Sequence, residues 1–274
     1  LYRVSVRCQR LHLRAHPGQD PRMATVIHTR DLAVSFDGES TVFEGLDLAI
    51  EAGEFVTLVG VSGAGKSTLL RVIADLIPAY RGSVKVDTPH DPARRSIAMV
   101  FQAANLMPWR RVKDNITLGL EGIDVPDAVR QERIDWTLKL VGLEEMAERW
   151  PYQLSGGQRQ RIGIARALAV DPDILLMDEP FGAVDAITRT ALQDELLGIW
   201  GATGKSILFV THDIEEAIYL GDRVLLLGDK PARVVAEYKV DIARGGRRES
   251  PQFMELVENL RAGLQGAMEA AIAR

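Results

Sequence analysis

"FVTLVGVSGAGKSTLLRVIADLI", residues 55–77, changes character twice within a few positions. The run from Phe55 to Val59 is unbroken and apolar, the pattern of a buried strand. After Lys66, Leu69, Leu70, Val72 and Ile73 fall at helical spacing, which predicts a helix that stops at Pro78. Between them, "GVSGAGKST", residues 60–68, fits G-x-x-x-x-G-K-[ST] in the strand–loop–helix setting that the pattern requires. Gly63 and Gly65 let the backbone curl so that successive amides face phosphate oxygens. The helix behind them presents its positive end to the same anion. Lys66 can reach the β- and γ-phosphates, and the Ser67 hydroxyl can join a Mg²⁺ shell. Gly60, Val61, Ser62, Gly63, Ala64, Gly65, Lys66, Ser67 and Thr68 are therefore expected to hold a nucleoside triphosphate with Mg²⁺.

Working outward, "DILLMDEP", residues 173–180, is an apolar strand ending in two acids. In isolation such a pair is a solvated strand end. Beside a phosphate loop, Asp178 can hold Mg²⁺, and Glu179 can orient or deprotonate a water in line with the γ-phosphate. His212 in "ILFVTHD" follows another buried strand and would lie on the same sheet edge, where it could contact the γ-phosphate.

The rest of the chain supplies the scaffold. "VIHTRDLAVSF" and "LDLAIEAGEF" read as strands before the loop, and "GSVKV" and "SIAMV" after it. Residues 112–149 lose β character: Val129, Ile134, Leu138 and Val141 approach helical spacing. "DILLMD", "SILFV" and "RVLLLG" then alternate with the helical "AITRTALQDELLGIW" and "IEEAIYL". Strands alternating with helices around a middle helical block predict a parallel α/β core carrying a helical subdomain. Last comes "ESPQFMELVENLRAGLQ", where Ser250 can cap and Pro251 suits the first helical position. Phe253, Val257, Leu260 and Leu264 form one stripe, suited to packing on the chain's own domain or, less simply, on a partner.

The chain has 274 residues, of which 46% are hydrophobic and 26% charged, and a net charge of −5, an ordinary globular composition. Acidity argues against a binder of nucleic-acid phosphates. No stretch approaches the ~20 apolar residues that cross a bilayer. One cysteine, Cys8, rules out an internal disulfide and suits a reducing compartment. Residues 1–22 carry five arginines and one acid, leaving −9 on the remainder. They lack the apolar core of a secretion signal and read as a disordered leader or an extension ahead of Met23.

"YQLSGGQRQRIGIARAL", residues 152–168, opens a helix oddly. Ser155 stands at the N-cap, yet Gly156 and Gly157 occupy the first turn, at a cost of roughly 1 kcal/mol each against alanine. With "LSGGQ" at 154–158 between the phosphate loop and "ILLMDEP", the chain resembles the ATP-binding subunits of ABC transporters over residues 23–243 and, in kind, into the tail. The resemblance implies an α/β P-loop fold of the ABC ATPase type. It would have a mainly parallel core sheet, an antiparallel β subdomain, a helical subdomain over about 103–165 and a helical tail over 244–274. It also implies head-to-tail pairing, in which Ser155 and the amides of Gly156, Gly157 and Gln158 close over a γ-phosphate held by a second subunit.

By the same resemblance Gln102 links the Mg²⁺ site to a membrane subunit, and Asp185 lies in the loop crossing the dimer interface. His212 is the switch histidine. Phe36 is the aromatic on which adenine stacks, where tyrosine is commoner; otherwise it would be core. Lys66, Glu179 and His212 carry catalysis, with Ser67, Gln102 and Asp178 at the metal. "NLMPWRRVKDNITLGLEG", residues 105–122, follows Gln102 where the family docks its permease. Met107 and Trp109 could form that patch or belong to subdomain core. "PW" followed by "DNI" resembles the importer branch for nitrate, aliphatic sulfonates, taurine and thiamine-pyrimidine precursors. The expected partners are a second, identical ATPase, an integral membrane permease and, indirectly, an extracytoplasmic solute-binding protein. The expected place is the cytoplasmic face of the inner membrane. The alternative is a soluble ABC ATPase of DNA repair or translation. One phosphate loop, one signature, and only 89 positions between Lys66 and Ser155 disfavour it. Arg244, Arg247 and Arg248 read as a solvated loop.

Overall fold

The computed structural model describes residues 24–36, 40–182 and 184–272, so the leader at 1–22 lies outside the described residues. Two sheets form the frame. Strands β1 (Thr25–Ser35), β2 (Thr41–Glu51) and β4 (Arg81–Val86) make an antiparallel sheet in the order β2-β1-β4. The second sheet takes β3 (Phe55–Gly60), β5 (Ile97–Val100), β6 (Ile174–Asp178), β7 (Ser206–Val210), β8 (Arg223–Gly228) and β9 (Arg233–Lys239). Its order is β5-β6-β7-β3-β8-β9, parallel except for the β8–β9 pair. The sequence reading leaves "RVVAEYK" unassigned. It forms the edge strand β9, whose burial alternates residue by residue, as one covered face requires.

Successive residues of a strand point to opposite faces, and the core divides accordingly. Phe55, Met177, Leu175 and Phe209 point to the face covered by α2 (Val112–Gly119), α3 (Asp127–Leu140), α4 (Gly156–Ala169) and α5 (Ala186–Thr203). Val56, Leu58, Leu176, Leu208 and Val210 point to the face shared with α1 (Lys66–Ile73) and the antiparallel sheet. Strands buried on both faces carry continuous apolar runs, as β3, β6 and β7 do.

Helix α1 ends at Ile73, short of Pro78. Asp75 adopts a left-handed φ of 57°, and the amides of Asp75 and Leu76 turn back to the carbonyls of Val72 and Arg71. These bonds satisfy the helix's last carbonyls and redirect the chain. Leu76 and Ile77 continue the apolar pattern without continuing the helix.

The tail is part of the molecule's core. α7 (Pro251–Ile272) buries Phe253, Val257 and Leu260 against Val224 and Leu226 of β8 and Ala217 and Ile218 of α6 (Ile214–Leu220). Packing on the chain's own domain is thus the correct reading of that stripe. Of the three arginines before it, read as a solvated loop, Arg247 is buried and Arg244 half-buried, while Arg248 stays exposed. Arg247, 3% exposed, donates to the carbonyls of Ile218, Tyr219, Gly221 and Ile242. Arg244 lies 4.1 Å over the Trp200 ring and pairs with Asp222, and Arg248 lies 3.5 Å over Tyr219. Planar guanidinium groups bury well when stacked and fully bonded.

Candidate nucleotide site

The strand order places the C-terminal ends of β5, β6, β7 and β3 side by side. Ligands of open α/β sheets bind outside those ends. Gln102 follows β5, Asp178 ends β6 with Glu179 next, His212 follows β7, and the phosphate loop follows β3. Four segments far apart in sequence thereby meet at one edge.

The loop is shaped by its glycines. Gly65 takes a left-handed φ of 77° as the N-cap of α1. A β-carbon there would stand 2.5 Å from Val42 Cγ1 and 3.2 Å from Phe43 Cδ1, so neither conformation nor space admits a side chain. The first amides of α1 have no intrahelical partner and face outward, the arrangement that binds anions. Lys66 folds over the loop, its Nζ donating to Gly60 O at 2.9 Å and Val61 O at 3.1 Å. Burial lowers its pKa, with Glu179 and Asp178 opposing the shift.

Ser67 Oγ donates to Asp178 Oδ1 at 2.8 Å. Burial raises the Asp178 carboxyl, the Ser67 bond opposes this, and the neighbouring Glu179 charge adds to it. Magnesium takes hard oxygen donors and keeps several waters. The Ser67 and Asp178 oxygens form such a pair, and the residues present fit that ion. Glu179 has a left-handed φ of 44°, a conformation that costs of order 1 kcal/mol or more for a non-glycine residue. It brings Oε2 to 3.0 Å from His212 Nδ1, which donates to it. The Gln102 amide also approaches: a β-carbon on Gly182 would lie 3.1 Å from Gln102 Nε2 and 3.7 Å from Glu179 Oε2.

Phe36 is 71% exposed at the end of β1, which corrects the core alternative and leaves a free ring face. Trp109 is 70% exposed and Met107 half-buried, so the tryptophan is not subdomain core. Asn115, from the "DNI" triplet, is buried beneath that loop. It accepts from Met107 N and donates to the carbonyls of Met107, Arg110 and Arg111.

The "LSGGQ" segment stands apart. Among the described residues no hydrogen bond or ion pair joins it to the phosphate loop. Ser155 and Gln158 form a reciprocal capping box, Ser155 Oγ accepting from Gln158 N at 3.2 Å and Gln158 Oε1 from Ser155 N at 2.9 Å. The Gln158 amide, expected at the partner's γ-phosphate, serves this cap in the single chain. A side chain at Gly156 would meet nothing within 4 Å, whereas one at Gly157 would lie 2.7 Å from Thr188 Cγ2 of α5. Asp185 is exposed and caps α5, accepting from Thr188 N at 3.0 Å. That bond holds its carboxyl below the usual range.

A model of the ABC transporter family matches residues 43–182. The chain belongs to the ABC transporter family. It is an ATP-binding cassette that hydrolyses ATP, built on the α/β scaffold described above. It is 49% identical over 219 residues to the taurine import ATP-binding protein TauB of Rhizobium johnstonii, covering 76% of this chain and 83% of that one. It is 46% identical over 243 residues to the aliphatic sulfonates import ATP-binding protein SsuB 2 of Mesorhizobium japonicum, covering 87% and 93%. Among solved structures it is similar to a dimeric ATP-binding cassette in a post-hydrolysis state bound to ADP and Pi. That match has 33% identity and a TM-score of 0.66, covering 78% of this chain and 98% of that one.

Sequence reasoning missed the layer behind His212. Glu216 accepts from Gln193 Nε2 at 2.8 Å and from Thr211 Oγ1, all three residues being buried. No local motif marks these positions, because the partners lie on α5, α6 and the turn after β7.

Proposed function

We propose that this ABC ATPase powers a binding-protein-dependent importer of small sulfonates, taurine or an aliphatic sulfonate, working as a homodimer against an integral membrane permease at the cytoplasmic face. The observation that carries the ATPase site is the convergence of Lys66, Ser67, Asp178, Glu179 and His212 on one sheet edge. The names of the relatives support the sulfonate class, and the dimeric cassette supports pairing. Among the described residues no helix is long and apolar enough to cross a membrane. The exposed Trp109, on the loop whose backbone Asn115 holds at Met107, Arg110 and Arg111, is the surface this reading assigns to a permease.

ATP lies along the phosphate loop with adenine on Phe36. Lys66 exchanges its two loop carbonyls for phosphate oxygens. Ser67 and Asp178, with Gln102, would hold Mg²⁺, which would supply neutralisation of the phosphate charge. Glu179 orients the attacking water and accepts its proton, while His212 fixes the carboxylate through Nδ1 and faces the γ-phosphate. Ser155, Gly156, Gly157 and Gln158 of the second subunit cover that phosphate, and Asp185 lies along the interface. Residues 23–243 form the ATPase domain in this reading, with the helical subdomain at about 103–165, and residues 244–274 are its tail.

The test is a tagged pull-down from detergent-solubilised host membranes, followed by reconstitution with the recovered permease. Capture of a multi-span permease, and ATP turnover stimulated by a taurine- or alkanesulfonate-loaded binding protein, is the expected result. Capture of soluble proteins alone would overturn coupling to transport. Stimulation by nitrate or pyrimidine ligands, but not by sulfonates, would overturn the substrate class.

A further inference from the structure

His212 occupies a turn that is fixed on both sides. In an ordinary capping box the third helical residue reaches back to the N-cap amide. Here Asp213 caps α6 by accepting from Glu216 N at 3.1 Å, but Glu216 does not reach Asp213 N. The Thr211 hydroxyl stands between them. It accepts from Asp213 N at 3.0 Å and donates to Glu216 Oε2. Thr211 and Asp213 are thus tied to one carboxylate, and the residue between them is His212. Arg189 of α5 holds the same turn from outside, 3.6 Å from Asp213 Oδ2 and donating to Val184 O at 3.1 Å.

Glu216 is 6% exposed and, among the described residues, makes no direct ion pair. Burial pushes its carboxyl upward, and the bonds from Thr211 and Gln193 pull it back. A buried carboxylate is costly, and an apolar replacement is often as stable. What this one provides is orientation, since both oxygens are bonded. The second bond leads away from the site. Gln193 donates Nε2 to Glu216 Oε1 and accepts at its own Oε1 from Arg248 Nη2. Arg248 belongs to the segment between β9 and α7, stacked on Tyr219. A continuous line of donors and acceptors runs from the tail to the histidine turn.

We propose that Arg248 is a positioning residue for His212, acting through Gln193 and Glu216 on the Thr211–Asp213 turn, so that the C-terminal segment sets the rate of ATP hydrolysis. The inference rests on the proposed role of His212 at the γ-phosphate. Gln193 is the point where the line can be cut and rejoined. Its amide presents an acceptor to Arg248 and a donor to Glu216. Gln193→Glu sets two carboxylates face to face. Gln193→Glu with Glu216→Gln restores every bond, because the new carboxylate accepts from both Arg248 and the new amide, whose oxygen accepts from Thr211.

The test is steady-state Mg-ATP turnover by the full chain, with thermal melting to confirm folding. Arg248→Ala and Gln193→Glu are expected to lower kcat about tenfold, the effect of one lost charge-assisted bond. KM for ATP should change less than about twofold, since neither residue touches the phosphate loop. The Gln193→Glu/Glu216→Gln pair should recover kcat to within about threefold of the parent. In a His212→Ala background, Arg248→Ala should bring no further loss. Normal kcat for Arg248→Ala, a folded swap variant that fails to recover, or losses that multiply in the His212→Ala background would each overturn the proposal. If Arg248→Ala does not fold, the swap pair decides alone. Wild-type turnover by His212→Ala would instead remove the role of His212, a separable failure.

Discussion

Lys66 and Glu179 each give up something in the nucleotide-free chain. The lysine spends its donors on two loop carbonyls, and the glutamate holds a left-handed backbone to reach His212. Lys66→Ala should weaken ATP binding by about 2–3 kcal/mol, or roughly thirtyfold to 150-fold. Titration with a fluorescent ATP analogue measures this, and unchanged affinity would contradict the cradle. Glu179→Gln should keep ATP affinity and lower turnover by at least about a hundredfold. It should also accumulate an ATP-dependent dimer on a sizing column, and ordinary turnover would remove Glu179 from its role. Glu216 makes a pH prediction. Its folded carboxyl keeps its proton above the ordinary 4.5, so the folded chain binds more protons than the unfolded one from that value up to the raised pKa. Stability contributed by this group is largest below pH 4.5, falls as pH rises through that window, and levels off above the folded pKa. Melting curves across pH should show that component lost in Glu216→Gln. Lys66, Ser67, Asp178 and Glu179 are legible in sequence because each sits in a short motif with a local mechanism. Gln193, Glu216 and Arg248 are not, because 23 positions separate the first pair and 55 the outer one.

Elements were legible where pattern and capping coincide. The strands of the parallel sheet announce themselves as apolar runs, and α5 begins at the Asp185 cap. The end of α1 was not legible, since a non-glycine residue at left-handed φ, here Asp75, leaves no clear mark in sequence. Edge strand β9 was missed because a half-covered strand with four polar or charged positions in seven resembles a loop. Helix α4 offers a direct comparison of two neighbouring glycines. At Gly156 an added methyl meets open space, while at Gly157 it meets Thr188 of α5. Gly156→Ala should therefore raise the melting temperature slightly, from the usual gain of about 0.4–1 kcal/mol, yet lower turnover where a second subunit's phosphate must approach. Gly157→Ala should lower both. Equal effects on melting would show that α4 and α5 give way at this contact.

At the scale of the whole molecule, two faces of one sheet and a C-terminal helix form three adjoining clusters. Leu260, fully buried in the third, belongs to the last long helix. Leu260→Ala should cost about 3 kcal/mol, read as a lower urea midpoint in a single transition. A separate early transition of the tail would show that α7 folds on its own. The core stripe of α7 was legible from spacing, but its anchorage was not: an arginine cluster in a polar segment carries no sign that Arg247 will be buried. The four carbonyls Arg247 engages include three at the end of α6, Ile218, Tyr219 and Gly221. Helix ends leave such carbonyls unpaired and favour a positive charge, so α6 is capped by a residue 26 or more positions downstream. In amide hydrogen exchange, then, α6 and the segment from Arg244 into α7 would open as one unit. The stretch just beyond His212 would borrow its protection from residues that never touch ATP.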